Sequence, residues 1–228
     1  MKALSSKNRR EIDAIFSRLD YAALAGVYCD EGGETFWRAM REPCRRLGIQ
    51  AASALLPRLR AGGSSLYVGA GVAEIPALVM EASALGRRVS AFNLRRKEVG
   101  LLRRACGALP VDWRASDAGS ARGRFDHLWM VSVLNDPEEF PDLSLLSYGR
   151  ADPRAFRCAA FSAQRLAVRR LADRCLRRLS LPALVTTSVE EAIWVEEWCQ
   201  RSGVACRVEK KTYPTAIVGD PICFIRLG

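Results

Sequence analysis

The sequence predicts an α/β fold: a seven-stranded, mostly parallel sheet whose last strand is antiparallel, preceded by a helical segment. Three observations carry this expectation. From Ser65 onward, short apolar runs alternate with helical segments, which is the pattern of βαβ units. The last two strand-like runs, 206–211 and 223–227, are joined only by 212–221, which leaves no room for a crossover helix, so they must pair antiparallel. Residues 1–60, in contrast, show helical periodicity alone. The chain therefore divides into a helical N-terminal extension or cap, 1–60, and an α/β domain, 61–228.

Taken in order, Ile12, Ile15, Phe16 and Leu19 recur at helical spacing behind a polar start, and the run Asp30, Glu31, Gly32, Gly33 breaks the pattern. A second helical run carries Phe36, Met40, Cys44 and Leu47, and Pro43 is expected to bend or end it. A third short helix over 51–60 stops at Gly62 and Gly63. Strands are expected at 66–68, 89–92, 111–113, 127–131 and 183–187, and helices at 75–85, 97–106, 164–179 and 189–202. Residues 136–163 read as irregular.

At 228 residues, with 49% hydrophobic and 26% charged, the composition excludes a fibre, a disordered tail and a disulfide miniprotein. A core of this size needs no metal or disulfide staple. Eight cysteines are present, but none stands in a C-x-x-C pair and only one histidine, His127, accompanies them, so free, mostly buried thiols and no metal site are expected. The N-terminus has no apolar h-region and no run approaches the length of a membrane span, so the expected location is the cytoplasm. The formal charge is +10, and 30 of the 35 basic residues are arginine. Segments 1–60, 61–150 and 151–228 carry +4, +1 and +5, which puts the excess mostly outside the part that holds the motifs. A basic surface of this kind admits RNA as a partner through Arg-rich helices.

The informative motif is Val68-Gly69-Ala70-Gly71-Val72-Ala73-Glu74, which follows the first strand and opens a helix. Glycines at such a turn let the backbone approach a ligand and aim N–H groups at it. Asn93 and Leu94 end the second strand, 24 residues after Gly69, where nucleotide-binding folds place a ribose contact. Asp117 and Ala118 follow the third strand, and Phe125-Asp126 enters a fourth that closes at Ser132, Val133 and Leu134.

In this ordered set, and in its terminal antiparallel hairpin, the chain from about Ser64 to Gly228 resembles the class I S-adenosylmethionine (SAM)-dependent methyltransferases. The resemblance implies a Rossmann-like sheet of order 3-2-1-4-5-7-6 and SAM as cofactor; no residue names the methyl acceptor, which is expected to be first a small molecule and second RNA. It also implies roles: Val68, Gly69, Ala70 and Gly71 under the methionine part of SAM, Asn93 and Leu94 at the ribose, Asp117 and Ala118 around the adenine, and Ser132 and Val133 beside the sulfonium. It assigns no catalytic residue.

The chain departs from that family's pattern at three places: Tyr67 stands where an acid is usual, Ala73 where a third glycine is usual, and Asn93 where the ribose carboxylate is usual. Losing a charge-assisted bond costs about 1.5–3 kcal/mol, enough to weaken cofactor binding by tens of fold. Two alternatives therefore stay open. One is a methyltransferase-like binding protein without catalysis. The other is an NADP-binding oxidoreductase domain, with Arg95 and Arg96 holding a ribose phosphate, although Glu74 is unfavourable beside a pyrophosphate.

Other candidates carry less. Asn135 and Asp136 follow the fourth strand, where ligands of open α/β sheets bind, and are the expected substrate contacts. His127 lies within a strand and reads as a packing residue. Arg170, Arg174, Arg177 and Arg178 share one helix face, read as solvated. Glu190, Glu191, Glu196 and Glu197, with Trp194 and Trp198, read as a helix docking to the sheet, and Tyr213 and Asp220 are the hairpin residues within reach of a pocket.

Overall fold

Local chemistry sets the N-terminal helices, in a computed structural model that describes residues 4–27, 33–147 and 157–228. Helix α1 (Ser6–Arg18) starts at Ser5, whose hydroxyl accepts the Asn8 N–H, and buries Ile12, Ile15 and Phe16 completely. A short α2 (Tyr21–Ala25), which periodicity did not reveal, is capped by Asp20 accepting the Ala23 N–H at 2.9 Å. Helix α3 (Gly33–Leu55) runs unbroken through Pro43 and into a 3-10 turn, Leu56–Arg58. The expected end at Pro43 and the separate helix over 51–60 are thus corrected. An interior proline costs about 3 kcal/mol, and burial of Trp37, Ile49 and Leu55, at about 1.5–3 kcal/mol each, outweighs it. Of the expected break at 30–33, only Gly33 is described.

The rest alternates. Strand β1 (Ser64–Val68) leads to α4 (Ile75–Val79), which continues as a π-helical turn, Met80–Ala84. Then come β2 (Arg88–Phe92), α5 (Arg96–Cys106), β3 (Val111–Arg114) and β4 (Phe125–Met130). Helices α6 (Pro141–Ser147) and α7 (Cys158–Leu176) occupy much of what read as irregular. Strand β5 (Leu179–Ser188), helix α8 (Ala192–Ser202), and strands β6 (Cys206–Val208) and β7 (Ile222–Leu227) complete the chain. The sheet order is β3-β2-β1-β4-β5-β7-β6, with β7 antiparallel to both β5 and β6, as the resemblance implied.

Strand alternation divides the interior in two. Leu66, Val68, Leu128, Met130, Val185 and Ile225 face α7 and α8, while Tyr67, Trp129, Leu184 and Phe224 face the layer built from α1–α5. The N-terminal helices therefore share one core with a sheet face. Gly48 brings α3 closest: a Cβ there would stand 2.7 Å from Pro76 Cγ and 3.0 Å from the Ala73 carbonyl oxygen. This contact seats α3 against the start of α4, beside the glycine loop.

A polar network is sealed under β1 on that same side. Glu81, fully buried, accepts from Tyr67 Oη at 2.6 Å, from Arg87 Nε at 2.8 Å and from Ser65 Oγ. Arg87 also donates to Asp126 at 2.6 Å and to the carbonyls of Arg60 and Ser64 at 2.7 and 3.0 Å. His127 joins the network, with Nδ1 2.9 Å from Glu81 and Nε2 2.9 Å from Thr186 Oγ1. Its position agrees with a packing role.

Candidate functional site

Parallel strands present their carboxyl ends to one edge, and there the chain forms a cleft of about 920 Å³. Val68, Gly69, Gly71, Asn93, Leu94, Asp117, Ala118, Ser132, Val133 and Asp136 all line it. Ala70 and Asn135 do not: they are 0% and 1% exposed. Asn135, expected as a substrate contact, thus lies behind the wall and not on it. Its chain neighbour Asp136 is on the wall, and its Oδ1 accepts the Glu138 N–H at 2.8 Å.

The glycine loop differs from an open anion cradle. Gly69 takes φ +70°, and a Cβ there would meet Val133 Cγ2 at 2.7 Å, so the loops after β1 and β4 are packed together. The Ala70 N–H bonds the Phe92 carbonyl at 2.9 Å, and the Gly71 N–H donates to Glu74 Oε2 at 2.9 Å. The expected ligand-facing N–H of Gly71 is already taken by a carboxylate on the cleft wall. Burial, and then the charge of nearby Glu98, push that carboxyl up to about 7.

Asn93 is similarly committed. Its amide donates to the Ala70 carbonyl at 3.0 Å and to Glu98 Oε2 at 2.9 Å, and its oxygen accepts the Arg95 N–H at 2.8 Å. Both amide hydrogens are used, so only a lone pair on Oδ1 remains for a ribose hydroxyl. Glu98, fully buried on α5, returns a carboxylate beneath the position where the sequence lacks one. Asp117 accepts the Gly119 N–H at 2.7 Å and pairs with Arg174 at 2.7 Å. Arg174, expected on a solvated face, therefore reaches the cleft.

The loop after β4 is held by a residue that sequence reading placed in a docking helix. Glu191 is fully buried and accepts four successive backbone N–H groups: Ser132 at 2.8 Å, Val133 at 2.6 Å, Leu134 at 2.5 Å and Asn135 at 3.3 Å. Ser132 adopts φ +53°, which helps turn these donors toward one carboxylate. The legible signal was Ser188-x-x-Glu191, a capping-box spacing, and the box forms: the Glu191 N–H meets Ser188 Oγ at 3.3 Å and the Ser188 N–H meets Glu191 Oε2 at 3.4 Å. Ser132 Oγ also donates to Asp220 at 3.2 Å, while Tyr213 packs on Phe224 away from the wall.

Sequence reasoning missed two walls. One is α3, through Cys44, Leu47, Gly48 and Ala51, and the other is the 214–218 segment. Burial pushes the Cys44 thiol up to about 12, so it is not a nucleophile at neutral pH. Among the described residues no cluster of potential metal ligands occurs, seven cysteines are free, and no helix is long and apolar enough to cross a membrane.

Sheet order, the antiparallel β7 and the position of the cleft define the class: the chain has the fold of the class I SAM-dependent methyltransferases. Magnesium protoporphyrin IX methyltransferase from Synechocystis, solved with bound SAM, matches over 100% of this chain and 99% of its own, with a TM-score of 0.55 at 11% identity. A methyltransferase from Pyrococcus furiosus matches 79% of this chain and 82% of its own, with a TM-score of 0.53 at 16% identity. Precorrin-6y C5,15-methyltransferase from Geobacter metallireducens matches 78% and 87%, with a TM-score of 0.50 at 14% identity. No protein-family model matches the sequence, and neither does any curated protein.

Proposed function

We propose that this protein binds SAM in the cleft and transfers its methyl group to a small-molecule acceptor. The observation that carries the reading is the Glu74 carboxylate closing the Gly71 N–H in a glycine loop at the end of β1. A loop closed by an acid suits a cofactor that is cationic at its sulfonium and ammonium. It repels a pyrophosphate, and Arg95, one of the two arginines that the NADP alternative relies on, is paired with Glu138 at 2.5 Å, so that alternative is disfavoured. Asn93, Leu94, Asp117 and Ala118 would hold the nucleoside, with Phe92 and Leu171 as apolar walls, and Ser132 and Val133 would face the sulfur. The residues present fit that cofactor in size, polarity and sign.

The cofactor supplies an electrophilic methyl group, which an acceptor lone pair takes while the S–C electron pair stays on sulfur. The chain contributes positioning and exclusion of water, with no covalent intermediate required. Calorimetric titration tests the reading: SAM and S-adenosylhomocysteine (SAH) are expected to bind and NADPH not. No heat with either sulfur compound at millimolar concentration overturns it. Gly71→Arg is expected to abolish SAH binding with the fold retained by circular dichroism, because it places a cation where the cofactor's own cation must sit.

A pH dependence follows from Glu74. Cation binding favours the ionised carboxyl, whose cofactor-free value of about 7 means that a proton must leave at lower pH. Affinity for SAH is therefore fully expressed above pH 7 and lost below it, by about tenfold between pH 8 and 6. Methylthioadenosine, which lacks the amino-acid part, is expected to show no such slope, and Glu74→Gln is expected to flatten the slope for SAH. A steep slope surviving in Glu74→Gln would reassign the titrating group.

A further inference from the structure

We infer that the methyl acceptor is an apolar small molecule, uncharged or cationic, seated between α3, the loop after β4 and the 214–218 segment. This rests on the cofactor reading above. Sheet order separates the cleft into two flanks. The β2 and β3 ends carry Asn93, Arg95 and Asp117, and the β4, β5 and β7 side is left for the acceptor.

On the acceptor side the wall is apolar, through Leu47, Ala51, Val131, Phe140, Ile217 and Val218. Its charged groups among the described lining are carboxylates: Asp136 and Glu139, with Glu74 at the floor. The two arginines that line the cleft, Arg95 and Arg174, belong to the other flank and are paired with Glu138 at 2.5 Å and Asp117 at 2.7 Å. The cleft thus carries five carboxylates against two guanidiniums in a chain of net charge +10. A phosphate entering it would meet like charge with no offsetting cation on its own side. That opposes an RNA or nucleotide acceptor, although the outer surface is basic.

One further observation points to a ligand here. Ile217 adopts φ +67°, a left-handed conformation that is strained for a β-branched side chain, yet it is 40% exposed and fills no core. With Val218 and Leu94, 51% and 61% exposed, it gives the mouth an apolar rim.

The test is calorimetric titration of SAH-saturated protein with three near-isosteres: naphthylmethylamine, naphthylmethanol and naphthoate. The amine and the alcohol are expected to bind, and the amine to exceed naphthoate by about tenfold or more at low salt. Glu139→Gln is expected to reduce that ratio at least threefold, and Ile217→Gly to weaken the alcohol about fivefold while raising Tm through relief of strain. Naphthoate binding as tightly as the amine, a ratio unchanged by Glu139→Gln, or no binding by any probe overturns the inference. Failure of SAH itself to bind overturns the cofactor reading instead, so the two failures are distinguishable.

Discussion

Glu191→Ala is expected to destabilise the protein by about 3–5 kcal/mol and to abolish SAH binding by the fraction that still folds. The carboxylate is fully buried and is the common acceptor of the Ser132, Val133, Leu134 and Asn135 N–H groups, with Ser188 Oγ at 3.0 Å as a further donor. Each donor orphaned in the interior costs about 1–3 kcal/mol. Ser132 and Val133 are half-buried and can turn to water, which keeps the total well below the sum. What rehydration cannot restore is the path of the loop: Ser132 sits at φ +53° only while its N–H and its neighbours' converge on one anion. Since Val133 Cγ2 lies against Gly69, a relaxed loop also releases the glycine turn. Glu191→Gln keeps the shape but sets an amide group where only acceptors fit, so a smaller loss is expected. Urea unfolding at unchanged m-value measures both. A loss below about 1 kcal/mol for Glu191→Ala would mean that the loop is held by other contacts.

What was legible in the sequence is what depends on neighbours along the chain. Periodicity located all seven strands, and the missing crossover before residues 223–227 fixed the antiparallel end. The strand-end residues Gly69, Asn93, Asp117 and Ser132 lie on one cleft because parallel strands deliver their carboxyl ends to the same edge. What was not legible is long-range. Gly48 reads as an ordinary helical glycine until Pro76 is placed against it. Glu98 sits on α5 and Glu191 just before α8, and nothing local says that one serves Asn93 and the other the loop after β4. Pro43 does not end α3 because tertiary burial, which is not visible locally, overrides its low helix propensity.

Arg87→Met is expected to cost about 3–5 kcal/mol at pH 7, because it leaves fully buried Glu81 ionised without its guanidinium partner. The companion Glu81→Leu/Arg87→Met double variant is expected to recover most of that loss, since two buried charges are exchanged for apolar groups that owe no desolvation. The pH dependence separates this account from a simple loss of packing. Burial works to raise the Glu81 carboxyl, but the His127 ring and the Arg87 guanidinium beside it outweigh burial and hold it below its ordinary 4.5. Asp126 is held below its ordinary 3.8, where the Arg87 and Ser64 donors outweigh desolvation. Groups with lowered values stabilise the fold above their unfolded values and lose that contribution as pH falls through the folded ones. The wild type is therefore expected to weaken below about pH 4.5. The gap to Arg87→Met should narrow as pH drops from 7 toward 4, because the variant no longer depends on those carboxylates being ionised. A packing defect alone would keep a constant gap across that range. SAH affinity per folded molecule is expected to stay unchanged in the double variant, since the network supports β1 from below and none of Glu81, Arg87 or Asp126 lines the cleft.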